Sequence, residues 1–272
     1  MEGRIRLGGR DSISLIAGNP ASKVYPSSRI QKGLVLAWED RDLSEEGVGF
    51  GVPVFRVGLE TIFPGGWRSW TREDEKLTVL RVDYEMSLVS RMARKGRKIK
   101  RKIAYRVRER LSSLHRKHPG LRGVFMSASQ ALRRAFLLED VFEEIPSAGM
   151  VRAVYTIEGC SIHVNLQIQR REGGTEVIVM NEQGANYFDL YYDSDGVRLQ
   201  GKEIGSWDET FADEASFVNS QHRIAFTLAK TQGARMFRGR ELATERLAWA
   251  GLAYVLPGNA GDFAYTLRIG GI

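Results

Sequence analysis

Five stretches of this chain alternate apolar and polar residues with a period of two, which limits the possible folds more than any other feature. Leu80, Val82, Tyr84, Met86 and Leu88 alternate with Arg81, Asp83, Glu85 and Ser87. Val151, Ala153, Tyr155 and Ile157 do so with Arg152, Val154 and Thr156, and Ile162, Val164, Leu166 and Ile168 with His163, Asn165 and Gln167. Ile224, Phe226 and Leu228, then Phe263, Tyr265, Leu267 and Ile269, follow the same rule. A strand sends successive side chains to opposite faces, so each run predicts a strand with one buried face.

Shorter strand candidates lie near 4–7, 12–17, 33–38, 52–59, 176–181, 197–200 and 248–256. Glu158-Gly159 reads as a tight hairpin turn, and Glu172-Gly-Gly174 as the next one. Roughly a dozen strands predict a mainly β protein, a large antiparallel β-sandwich or barrel-like sheet pair. In strand count and length this resembles the supersandwich of mutarotase-like and polysaccharide-lyase domains, which implies an architecture and carries no activity.

The centre breaks the alternation. Ala131, Leu132, Ala135, Phe136 and Phe142 keep helical spacing, with Ser127 or Ser129 as N-cap and Pro146 as a stop, so residues 127–144 predict a helix. Ile99, Ile103, Val107, Leu111 and Leu114 predict a basic helix from about 98 to 117. Ile103, Tyr105 and Val107 also alternate, so part of 98–109 reads equally as a strand. The simplest organisation is one β-sandwich domain over 1–272 with an α-helical insertion at about 91–146.

The net charge of +7 hides a strong polarity along the chain. Residues 91–122 hold fourteen Lys and Arg against Glu109, whereas 182–214 hold nine carboxylates against Arg198 and Lys202. The first segment suits a polyanion such as nucleic acid, with Lys98, Lys100, Arg101, Lys102 and Arg106 as the contacts. An anionic membrane surface, or the acidic segment of this chain or of a second copy, would also satisfy it. Tyr105 is the only aromatic residue there, so base stacking is poorly provided for.

The acidic segment is the densest chemically. Asn181-Glu-Gln-Gly-Ala-Asn-Tyr-Phe-Asp189, Tyr191-Tyr-Asp-Ser-Asp-Gly196 and Trp207-Asp-Glu combine carboxylates, amides and flat rings. Saccharide sites need those groups: polar atoms to pair hydroxyls, and rings to cover apolar C–H faces. Glu182 with Asp208 or Glu209 is the candidate acid/base or nucleophile pair. Asn181, Gln183, Tyr187, Tyr191, Trp207 and His163 are the candidate contacts to a glycan. Trp38, Trp67 and Trp70 could line the same cleft. Asp193-Ser-Asp195-Gly196 lacks the rest of a calcium loop and reads as a hairpin turn.

Other classes find no support. Gly47-Val-Gly-Phe-Gly51 is followed by Val-Pro and a strand, where a dinucleotide fingerprint needs a helix. No phosphate loop, G-x-S-x-G or zinc-ligand spacing occurs, so no cofactor or metal is expected. No apolar run approaches the roughly 20 residues of a membrane span. The start is charged rather than signal-like, and Cys160 is the sole cysteine, which together predict a cytoplasmic protein. Few Asn and Gln are compatible with a thermophilic source.

Overall fold

The computed structural model describes residues 3–7, 10–17, 33–39, 41–43, 49–58, 60–73, 77–94, 97–98, 138–171, 173–242 and 248–271. Its strands are β1 (Gly3–Leu7), β2 (Arg10–Ala17), β3 (Leu34–Trp38), β4 (Arg41–Asp42), β5 (Phe50–Val57), β6 (Glu60–Glu73) and β7 (Thr78–Arg94). Then come β8 (Arg97–Lys98), β9 (Leu138–Glu144), β10 (Gly149–Glu158), β11 (Ser161–Arg170), β12 (Glu176–Gly184), β13 (Leu190–Asp193) and β14 (Arg198–Gln200). The last are β15 (Asp208–Thr210), β16 (Glu214–Asn219), β17 (Ile224–Ala229), β18 (Arg235–Leu242), β19 (Ala248–Leu256) and β20 (Asp262–Gly271). One 3-10 turn, Gly201–Ile204, is the only helical element among the described residues.

Every strand pairing is antiparallel, and the pairings trace two faces. One runs β7–β10–β11–β20–β17–β16–β13–β14. The other runs β5–β12–β19–β18–β15, with β1–β2–β3 joined to β5 through Leu34 and Phe50. The β6–β7 hairpin connects them. Its beginning pairs with β5 and β9, and its far end leads through β7 to β10. Register shifts around Phe63, Pro64 and Gly66 mark the bend, where Pro64 removes one ladder donor.

The alternating runs form strands because one side of each enters the space between the faces. Tyr84, Tyr155, Leu166, Phe226 and Leu267 meet Phe50, Val177, Val179, Leu252 and Tyr254 in one core. Phe50 and Phe226 meet edge-on across the gap with ring centroids 5.1 Å apart, and Tyr254 meets Tyr265 at 5.0 Å. Glu158 pairs with Ser161, so Gly159 and Cys160 form the tight turn expected there.

Polar groups also cross the core. Tyr155 Oη donates to the Gly51 carbonyl at 3.0 Å and shares a 3.3 Å contact with Tyr84 Oη. Gly51 has φ of +75°, and a Cβ there would lie 2.5 Å from Tyr155 Oη, so both backbone and space demand glycine. The strand register slips opposite this point, between Met180 and Asn181.

Two sequence expectations need correction. Among the described residues the helical insertion is not found: β7 continues as a strand to Arg94, Lys98 lies on β8, and 138–144 is strand β9. Leu138, Val141 and Phe142 fit a helical stripe, and neither face of this strand is uniformly apolar. The extended β7 offers a ladder partner, and Phe142 meets Phe63 edge-on at 5.7 Å, so tertiary pairing decides the outcome. The remainder of both helix expectations, residues 99–137, lies outside the described residues. The stretch at Glu172-Gly-Gly174 is not a hairpin either, because β11 pairs with β10 and β20 while β12 pairs with β5 and β19. The chain there crosses from one face to the other.

Candidate functional site

Alternation along β12 sorts its side chains. Val177, Val179, Asn181 and Gln183 point into the core, so Ile178, Met180 and Glu182 point out. On that outer side Val54, Ile178, Ala253 and Val255 form a second apolar cluster, with Phe63, Met180, Trp207 and Phe237 packed against it. One row of this outer face is unusual. Glu182 opposes Gly251, Gly251 opposes Gly239, and Trp207 lies against Gly239. A Cβ on Gly239 would come within 2.7 Å of Trp207 Cδ2 and 2.9 Å of its Cα, so the indole occupies the space a side chain would fill. In the adjoining row Trp249 faces Glu241 across the β18–β19 pair. Both glycines are buried: the Trp207 indole covers Gly239, and the backbone of Asn181 and Glu182 lies where a Cβ on Gly251 would go, so the strands and the indole pack closely here.

The two carboxyl groups of this region differ in environment. Glu182 is only 3% exposed. Burial pushes its carboxyl well above the usual carboxylate range, and the charge of Glu241 adds to the shift. Glu241 is exposed, and its Oε1 accepts the Trp207 indole N–H at 2.8 Å. A buried carboxyl held towards its neutral form thus shares this face with an exposed one oriented by the indole.

The residues singled out from the sequence divide among several places. Glu182, Trp207 and Glu209 share the outer face of the second sheet. Glu209 stands opposite Phe237 and pairs with Arg235 at 3.5 Å. It is three strands and two residues from Glu182, roughly 16 Å at the usual strand spacing. Asp208 faces the opposite way, opposing Arg238 on the inward side. Neither carboxyl is therefore brought next to Glu182. Asn181 and Gln183 are fully buried core anchors: Gln183 Oε1 accepts the Leu36 N–H at 3.1 Å, and its Nε2 donates to the Leu34 carbonyl at 3.4 Å.

Tyr187 packs at the border of the main core, and Tyr191 is buried inside it. The Tyr191 hydroxyl donates to Asp193 Oδ2 at 2.6 Å. Asp193 Oδ1 accepts the Asp195 and Val197 N–H groups, closing the turn expected at this place. His163 is on the outer face of the first sheet, bonded to Thr266 Oγ1 at 2.9 Å. Lys100, Arg101, Lys102 and Arg106 lie outside the described residues. Among the described residues no helix is long and apolar enough to cross a membrane.

Glu241 and Trp249 were missed from the sequence. The available signal was Gly251 inside the predicted strand 248–256; Gly239 lay in a segment that was not read as a strand.

No family model matches the chain, and no curated protein matches it. Solved structures do. The GalNAc complex of the α-N-acetylgalactosaminidase NagBb from Bifidobacterium bifidum aligns with a TM-score of 0.50 at 8% identity, over 99% of this chain and 36% of that one. A quadruple mutant of the same enzyme aligns with a TM-score of 0.50 at 7% identity and the same coverage. A candidate aldose 1-epimerase from Escherichia coli K12 aligns over 100% of this chain and 99% of that one, at 8% identity with a TM-score of 0.44. This chain thus spans about a third of the length of the galactosaminidase. The likeness establishes a β-sandwich fold of a kind present in a carbohydrate-processing enzyme.

Proposed function

We propose that this protein binds a saccharide, for binding alone or for processing, on the outer face of the second sheet around Trp207 and Glu241. The observation that carries this reading is the Trp207 indole, laid on Gly239 and fixed by Glu241, with the buried carboxyl of Glu182 along the same row. A sugar ring offers an apolar C–H face and a rim of hydroxyls. The indole matches the first, and the exposed Glu241 carboxyl matches the second. The occurrence of this fold within an α-N-acetylgalactosaminidase is compatible with the reading. Of the residues predicted from sequence, Trp207 contacts the sugar, Glu182 lies buried along the same row, and Glu209 with Arg235 forms a charged rim further along the face.

The test is a fluorescence and calorimetric titration with methyl glycosides of common hexoses and N-acetylhexosamines. Trp207→Ala is expected to weaken binding at least tenfold, whereas Trp70→Ala, on the opposite sheet, leaves it unchanged. Absence of saturable binding by the unmodified protein, or a Trp207→Ala variant that binds equally well, would overturn the proposal.

A further inference from the structure

Past Trp207 the outer face of the second sheet leads to a cavity. The outward positions of β18 run from Gly239 through Phe237 to Arg235, and Glu209 on β15 stands beside Phe237. Between Arg235 and Glu176 lies a cavity of about 350 Å³, whose walls include Ala234, Val255 and Pro257. That volume is within the range of small-molecule pockets. Val255 belongs to the outer apolar cluster, so the cavity is on the same face as Trp207. We infer that the saccharide bound on this face is a neutral oligosaccharide of at least two units, one against Trp207 and another in the cavity between Arg235 and Glu176. This deepens the binding reading and rests on it.

Spacing, surface and polar groups agree on this. Gly239, under the indole, and Arg235 are separated by about 14 Å along an extended strand, more than one sugar ring spans. Phe237 lies between them and is only partly buried, so a ring is available to an apolar C–H face along the way. The Arg235 guanidinium stands 5.3 Å from the Phe237 ring centre and reaches Glu176 at 3.4 Å and Glu209 at 3.5 Å. Those contacts are longer than a charge-assisted hydrogen bond usually is, and the Arg235 side chain is more than half exposed, so hydroxyls can compete for its N–H groups. Glu176 Oε2 also accepts from Arg56 at 2.9 Å, which fixes the carboxylate at the cavity wall. A guanidinium that only donates and a carboxylate that only accepts match adjacent hydroxyls of one ring. Arg56, Glu176, Arg235 and Glu209 form a chain of ion pairs with two charges of each sign. That balance favours a neutral sugar over one that carries a carboxylate or sulfate.

The experiment titrates the full chain by calorimetry with methyl glycosides of hexoses and N-acetylhexosamines, and with the α- and β-linked di- and trisaccharides of the same sugars. Affinity should rise at least tenfold from the methyl glycoside to the best oligosaccharide of that sugar. Saturation-transfer NMR should show two neighbouring units in contact with the protein. Arg235→Met keeps an apolar stem and removes the donors, and it should erase most of the gain from the second unit. Glu176→Gln is a milder change at the other wall and should reduce that gain; it carries the test if circular dichroism shows Arg235→Met unfolded. Equal affinity for single and linked units overturns this inference and leaves the binding proposal standing. So does contact with one unit only, a gain that survives in every folded variant, or tighter binding of uronate oligomers than of neutral ones. Failure to bind any saccharide, single or linked, overturns both.

Discussion

Tyr265 on the first sheet donates its hydroxyl to Asn181 Oδ1 on the second at 2.8 Å, and the same oxygen accepts the Gly51 N–H at 3.1 Å. One side-chain oxygen thus ties β20, β12 and the irregular start of β5 together in the middle of the core. Asn181→Leu leaves two buried donors unpaired, at about 1–3 kcal/mol each. Urea denaturation should show a loss of about 3 kcal/mol. Adding Tyr265→Phe should cost less in the variant than in the unmodified protein, because one stranded donor is removed with it.

The tyrosine hydroxyls in the core set an alkaline limit. Burial pushes Tyr84 up to about 12, and Tyr155 and Tyr265 well above the ordinary phenol range. The unfolded chain ionises these groups near 10, so stability is complete below pH 10 and is lost as pH rises from there through about 12. Melting temperature should hold between pH 7 and 9 and fall beyond pH 10. In Tyr84→Phe the fall should be shallower. Ionisation of every phenol near pH 10 by ultraviolet titration, with the fold intact, would contradict this.

Asp83 sets the acidic limit. Arg81 and Arg152 each reach one of its oxygens at 2.8 Å, and the Arg81 hydrogen bond contributes most to holding its carboxyl at about 2. A depressed acidity of this kind stabilises the fold above the ordinary aspartate range and is lost as pH falls from about 4 towards 2. Asp83→Asn should therefore lower the melting temperature at pH 7 and make no difference at pH 2. Trp70 emission should also change, because Arg81 stacks on its ring at 4.6 Å.

Glu182 works in the other direction. Its acidity is weakened by folding, so its contribution is intact below the ordinary glutamate range and is lost as pH rises above it. Glu182→Gln should raise the melting temperature at pH 8 by several degrees and leave it unchanged at pH 4. Residues that serve a site often cost stability in this way.

Gly239→Ala probes the seat of Trp207. The new methyl group meets the Trp207 backbone as well as its ring, so a rotamer change alone cannot relieve the overlap. The indole should move, freeing Glu241. Trp207 fluorescence should shift to the red, with glycan binding lost and about 1–3 kcal/mol of stability given up.

Much of the architecture was legible where one face of a strand is buried and the other is wet. The runs of β7, β10, β11, β17 and β20 show this and were read in place. β18 was not, because Arg238 and Arg240 lie on its inner side and Phe237 and Gly239 on its outer side, which inverts the usual pattern. β6 is broken by Pro64, Gly65 and Gly66, residues that signal a loop unless the bend between sheets is known. In β9 the apolar residues keep helical spacing, and the partner strand overrides it. The site was half legible. Glu182 and Trp207 stood out in an acidic, aromatic stretch, but Glu241 came from a segment whose relation to them exists only through β19. Asn181, Gln183 and Tyr191 looked like contacts to a ligand and instead serve the core, since composition carries no information about which way a strand faces.

The hairpin of β6 and β7 bears on how the molecule assembles. Because it supplies edges to both faces, neither face can be completed while the other is missing, and its pairings join residues far apart in the chain. Such non-local closure delays folding, since the entropy of closing large loops is spent before most contacts form. The two faces should then appear and disappear in a single slow transition, which makes this corner the pacemaker of the whole protein.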